Sequence, residues 1–164
     1  MIVFNTSPLL YLAKLGKLEL LKDLFNIILI PEAVYEEAVI NGKDYADSKI
    51  VQKAINEGWI KIKLIHVKNK EFNEELDIGE LEAIELAKNL NAKLLLIDDA
   101  PARAIAESFG LNVKGTLYVL LKAYKKSIIN KNDVKNLLFR LLSLGFRISP
   151  ELYGKILEEI DKIV

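Results

Sequence analysis

The chain has no cysteine, a single histidine, a single tryptophan and no excess of charge of either sign. Without cysteine there can be no disulfide and no thiolate metal ligand. His66 alone cannot build an imidazole site, so a metal bound here must be a hard cation held by oxygen. The 23 Lys and Arg are balanced by 23 Asp and Glu, which excludes a global basic field; contact with nucleic acid would have to be local. Long apolar runs are missing too, since none approaches the roughly 20 residues of a membrane span. The opening MIVFNTSPLL has no basic stretch ahead of its apolar run, so the chain reads as cytoplasmic with no membrane partner.

What is present is a set of short apolar runs separated by helical patterns. The runs are Ile2 to Phe4, Ile27 to Ile30, Ile60 to Ile65, Leu94 to Ile97 and Leu111 to Val113. Their alternation with helices predicts an α/β fold with a mostly parallel sheet. Ser7-Pro8 is expected to open a helix to about Leu15, and Lys17 to Phe25 to follow as a second after Gly16. Pro31 opens a helix to about Ile40; the polar segment Asn41 to Ser48 reads as a loop near a site, before a helix ending near Gly58. Asp77 to Leu90 and Pro101 to Gly110 follow as helices. Beyond Gly115 the pattern is helical throughout, near Thr116 to Lys125, Asn132 to Leu144 and Pro150 to Ile163. At 164 residues the expectation is one domain, 1–164, with 116–164 as its helical C-terminal part.

In an open parallel sheet, ligands bind beyond the carboxyl ends of the strands. Those ends carry Asn5-Thr6-Ser7 and Asp98-Asp99. Two adjacent acids after an apolar run repel unless a cation or donors offset them, against the simpler reading that Asp99 caps the following helix. On the helix after Pro31, at about 100° per residue, Ala33, Val34, Ala38 and Ile40 share an arc that includes Glu37 and leaves out Glu32 and Glu36. On LDIGELEAIELAKNL the apolar arc includes Glu80 and leaves out Glu82 and Glu85. Asp77-x-x-Glu80 also fits a capping box, which alone would explain Glu80. Metal-assisted phosphoryl chemistry would need these inward acids and the strand-end acids to converge.

At these residues the sequence resembles a known family. IVFNTSPLLYLAKLGKLELL, IPEAVYEE, LDIGELEAIELA, LLLIDDAPAR with VKGT, and GFRISPELY together look like PIN-domain proteins of a largely prokaryotic branch related to VapC toxins. The resemblance covers nearly the whole chain. It implies a three-layer α/β/α fold and a ribonuclease dependent on Mg²⁺ or Mn²⁺, with RNA as substrate and an antitoxin protein as partner. It implies metal-binding acids at position 5, Glu37, Glu80 and Asp98, with Asp99 adjacent; Glu37, Glu80, Asp98 and Asp99 would be the catalytic set. Position 5 departs from the pattern: Asn5 stands where most PIN nucleases have aspartate, a neutral oxygen donor expected to hold a cation less tightly. The alternative is therefore a catalytically weakened PIN-like module that binds RNA or protein.

Thr6, Ser7 and Arg103 are candidates to contact substrate, against simpler readings of Ser7 as a helix cap and Arg103 as a solvated or ion-paired side chain. His66 reads as surface, Trp59 and Phe146 as core. No G-x-G-x-x-G or Walker lysine is present, which sets aside a nucleotide-binding Rossmann domain. Leu137, Leu138, Leu141, Leu142 and Leu144 suggest a homodimer face on the penultimate helix.

Overall fold

A computed structural model describes residues 1–68, 71 and 74–163. Its first compact unit, Met1–Thr116, holds a five-stranded, all-parallel sheet in the order β3-β2-β1-β4-β5. The strands are β1 (Ile2–Phe4), β2 (Ile28–Pro31), β3 (Ile60–Lys63), β4 (Leu94–Leu96) and β5 (Val113–Lys114). Four of the five expected runs shift by a residue or two at an end. The first matches end for end; in the third, one of the four that shift, Leu64 leaves the sheet and is 74% exposed.

Pairing makes Val3 a neighbour of both Leu29 and Leu95, and Leu95 a neighbour of Val113. These four face the same way, because side chains alternate along a strand. They pack with Leu81, Ala83, Ile84, Leu86 and Ala87 of α5 (Ile78–Asn89) and with Ala102 and Ala106 of α6 (Ala100–Ser108). On the other side the Phe4 ring meets Phe25 of α2 (Leu20–Phe25) edge to face at 6.3 Å. Helices thus flank the sheet as the three-layer expectation requires.

Helix α1 (Thr6–Lys14) ends where Gly16 adopts φ +67°: its amide donates to the Ala13 carbonyl, and Lys17 N donates to Leu12 O at 2.8 Å. That paired closure is a Schellman motif, and it delays the next helix to Leu20 instead of Lys17. The helix after Pro31 also differs from expectation. Its first turn, α3 (Glu32–Tyr35), is α-helical, but Glu36–Ile40 is a π-helical turn sealed by Asn41 N donating to Glu36 O at 2.9 Å. An i→i+5 turn rotates each residue by less than 100°. Val39 therefore takes the buried position and Ile40, expected inside, is 49% exposed. Helix α4 (Ala46–Asn56) follows the polar 41–45 turn.

The second compact unit, Leu117–Val164, is helical: most of α7 (Thr116–Lys125), then α8 (Lys131–Ser143) and α9 (Pro150–Lys162). Asn130 and Asp133 form a capping box at the start of α8. Tyr124 Oη donates to the Ile160 carbonyl at 3.1 Å. Leu137, Leu138 and Leu141 are buried in the single chain. Three of the five leucines expected at a dimer face are thus already buried, and Leu144 is 43% exposed. No helix among the described residues is long and apolar enough to cross a membrane.

Candidate metal and phosphate site

Strand order 3-2-1-4-5 reverses direction between β1 and β4, and the crevice beyond the carboxyl ends at such a reversal is where open α/β sheets bind ligands. Asn5 and Asp98 lie there. The Asn5 amide extends the β1–β4 ladder by donating to Leu96 O at 2.9 Å. Asn5 is also the N-cap residue of α1, the position expected for Ser7, although its side chain makes no capping bond. Only 6% of Asn5 is exposed. Among the described residues, its Oδ1 is the one buried side-chain oxygen or nitrogen with no hydrogen-bond partner. A polar atom buried without a partner costs on the order of 1–3 kcal/mol, so its presence calls for a ligand or a role.

Asp98 is held from one side. Its Oδ1 accepts the Thr116 amide and its Oδ2 accepts the Thr116 hydroxyl, each at 2.7 Å. Burial raises its pKa, opposed by these two bonds and by the nearby Arg103 guanidinium. Arg103 is thus the positive charge that acts on Asp98, without an ion pair between them among the described residues. Asp99 is exposed and caps α6, its Oδ2 accepting Ala102 N at 3.0 Å. The capping role weighed against a functional one for Asp99 is therefore present.

Glu37 sits in the π-helical turn, half-buried, and its Oε2 accepts the Thr6 hydroxyl at 2.6 Å. The Gly79 amide, in the first turn of α5, also donates to it. Its pKa is raised chiefly by burial, then by the charges of Asp77 and Glu82. Glu80 is 8% exposed and forms the expected capping box: Glu80 N donates to Asp77 Oδ1 at 2.8 Å, and Asp77 N to Glu80 Oε2 at 3.1 Å. Burial pushes its pKa up to about 7, and the charges acting on it are all carboxylates: Asp77, Asp99 and Glu37. Glu80 therefore links the Glu37 side of the site to the Asp99 side.

Glu37, Glu80, Asp77 and Asp99 share one electrostatic neighbourhood, whereas the charge acting on Asp98 is that of Arg103, and each acid is tied to its own donors. Among the described residues, no three or more His, Cys, Asp or Glu side chains are placed together to hold a metal ion, so Glu37, Glu80 and Asp98 do not converge into one cage. The physical reason is visible in the bonds: Thr6 and Gly79 hold Glu37, Asp77 holds Glu80, and Thr116 holds Asp98. The donor chemistry nevertheless fits a hard divalent cation. It consists of carboxylates and one unpaired amide oxygen, with mutual repulsion that positive charge would relieve.

Four participants were not singled out from sequence. Thr116 holds Asp98. Glu82, expected to face outward, caps α3 from a neighbouring helix, with Ala33 N donating to its Oε2 at 2.8 Å. Gly79 and Gly115 make room: a Cβ on Gly79 would lie 2.5 Å from Glu37 Oε1, and one on Gly115 would lie 2.6 Å from Asp98 Oδ1. The glycines in DIGE and VKGT were readable as close backbone approaches, but their partners lie 42 and 17 positions away in the chain. Ser7 is half-buried, and His66 is exposed and Trp59 buried, as expected.

A parallel sheet with Asp98 and an unpaired Asn5 oxygen beyond its reversal point, and with Glu37 and Glu80 on flanking helices, defines an α/β protein with an acidic candidate site. The chain belongs to the PIN-domain family, whose description matches residues 1–162. PIN domains are generally nucleases that act on nucleic acid with divalent metal ions. No curated protein and no solved structure matches the chain.

Proposed function

We propose that this protein is a metal-dependent endoribonuclease of the PIN type, in which Mg²⁺ or Mn²⁺ would draw its ligands from among Asn5, Glu37, Glu80, Asp98 and Asp99. The observation that carries the reading is the buried, unpaired Oδ1 of Asn5 at the sheet's reversal point, the next residue in the chain to Thr6, whose hydroxyl holds Glu37. A divalent cation bound there supplies neutralisation of phosphate charge and activation of water. The chain's own groups do the positioning. Thr6 and Gly79 hold Glu37, Thr116 holds Asp98, and the Asp77 box holds Glu80, so each carboxylate is fixed in its own place and a cation would have to draw them together. Ser7, in the first turn of α1, offers a hydroxyl to a phosphate or water, Thr6 can accept from a water while its proton is on Glu37, and Arg103 offers charge.

The neutral Asn5 favours a second reading, a weakened nuclease that retains RNA binding, because an amide oxygen does not offset cation charge. Calorimetric titration of the wild type with Mn²⁺, beside a Glu80→Gln, Asp98→Asn double variant, tests the shared premise. Stoichiometric binding lost in the double variant supports the site; no binding by the wild type removes it. Cleavage of mixed-sequence single-stranded RNA then separates nuclease from binding module. The reading extends to a single 1–164 domain, a VapC-like toxin role with an antitoxin protein, and a homodimer through the leucine-rich penultimate helix, at whose end Leu144 is 43% exposed. Light scattering that shows a strict monomer at micromolar concentration would remove the last of these.

A further inference from the structure

Helix α4 begins with a residue that local helix physics does not favour. N-cap positions prefer Ser, Thr, Asp or Asn, yet here the N-cap is Tyr45, whose side chain makes no capping bond. The ring is 69% exposed, so neither capping nor the core accounts for it. The turn that presents it is braced. Tyr45 N donates to Gly42 O at 2.8 Å, and Gly42 lies so close to the buried Ser48 side chain that any Cβ would collide with Ser48 Oγ.

Tyr45 lines an open cleft of about 340 Å³ together with Glu37, Lys14 and Asn41, near the small end of the usual ~300–1,000 Å³ range of ligand sites. One lining residue is therefore Glu37 of the candidate metal site. Lys14 is half-exposed, with Nζ 3.8 Å from Asp47. A bare phosphate is disfavoured against Glu37, whereas a neutral planar base is not; it can stack on a tyrosine ring and offer its edge to Asn41. Single-stranded RNA presents such unstacked bases.

We propose that this cleft is a nucleobase subsite for single-stranded RNA, in which Tyr45 stacks on a base flanking the phosphate at the acidic site. The proposal rests on the ribonuclease reading and adds to it a specificity-determining residue. Its continuity with the acidic site through Glu37 is what favours a nucleotide over a protein side chain as occupant.

The test is fluorescence anisotropy of the full chain with a 5′-fluorescein single-stranded RNA, with Ca²⁺ in place of Mn²⁺, and with a series of RNAs carrying one abasic position each. Tyr45→Ala is expected to weaken binding of the intact RNA about 5- to 150-fold, the range of loss of one stacked base. Tyr45→Phe is expected to bind like the wild type. One abasic position should weaken the wild type but leave Tyr45→Ala unaffected. Equal binding by wild type and Tyr45→Ala, with cleavage intact, overturns the subsite alone and redirects the cleft to a protein partner. A loss in Tyr45→Ala that is the same for every abasic RNA, or that Tyr45→Phe shares, also overturns it. Failure of the wild type to bind any of these RNAs overturns the subsite and the ribonuclease reading together.

Discussion

Thr116 holds both oxygens of Asp98, the amide on Oδ1 and the hydroxyl on Oδ2, each at 2.7 Å. Asp98 is thereby fixed by a residue 18 positions further along the chain, and Thr116 is fully buried. Thr116→Val keeps the shape and the amide bond but removes the hydroxyl, leaving a partly buried carboxylate oxygen short of a donor. A loss of about 1–3 kcal/mol in urea unfolding is expected, with Thr116→Ser recovering most of it. Equal stability of Val and Thr at this position would mean that water replaces the hydroxyl without cost.

The two site glycines give a different pattern. Gly79→Ala and Gly115→Ala each place a methyl group within 2.5–2.6 Å of a carboxylate oxygen, on Glu37 and Asp98 respectively. The carboxylates must move. In Gly79→Ala the better helix propensity of alanine, about 0.5–1 kcal/mol, partly offsets the clash, so the unfolding midpoint should change little while Mn²⁺ affinity falls about 10- to 100-fold. Calorimetry beside thermal unfolding separates the two effects. Unchanged Mn²⁺ affinity would show that Glu37 is not a ligand.

How much of this was legible in the sequence depends on how local each cause is. The capping box of Asp77 and Glu80, the cap by Asp99, and the inward aim of Glu37 and Glu80 follow from spacings within one helix, and those were readable. The π-helical turn was not, because nothing in EEAVI distinguishes an i→i+5 from an i→i+4 closure, and the angular test consequently put Ile40 inside. Glu82 was assigned to solvent by the same test; its partner, Ala33 N, is 49 positions away and belongs to another helix. The Thr116 clamp and the two glycine seats are likewise long-range pairings. Periodicity reports which side of an element faces inward, but not which atom of a distant element it meets.

Glu80 gives the protein a pH dependence of definite sign. Its folded pKa, about 7, is raised from 4.5, burial being the main cause. The folded state therefore holds a proton that the unfolded chain releases. The contribution of Glu80 is full below pH 4.5 and is lost as pH rises to about 7. Without divalent metal, stability should fall across that window by about 1–3 kcal/mol once solvent screening is counted. Mn²⁺ favours the ionised carboxylates, so its stabilising effect should grow over the same range. Urea unfolding at pH 5 and pH 7.5, with EDTA and with Mn²⁺, checks both signs; a Mn²⁺ effect that does not depend on pH would detach Glu80 from the site.

The most direct test of the central claim is Mn²⁺ titration of Asn5→Asp beside the wild type. The Asn5 Oδ1 is buried and without a hydrogen-bond partner at the sheet's reversal point. If that atom is a cation ligand, the added charge should tighten Mn²⁺ binding by about 1–2 kcal/mol, roughly 5- to 30-fold, and RNA cleavage should rise with it. In EDTA the same substitution should lower the unfolding midpoint, because it adds a carboxylate to a group that already repels itself. Opposite signs with and without metal are the result this account requires. An Asn5→Asp protein with wild-type Mn²⁺ affinity and the same midpoint in EDTA would contradict it, and with it the assignment of this acidic cluster as a metal site.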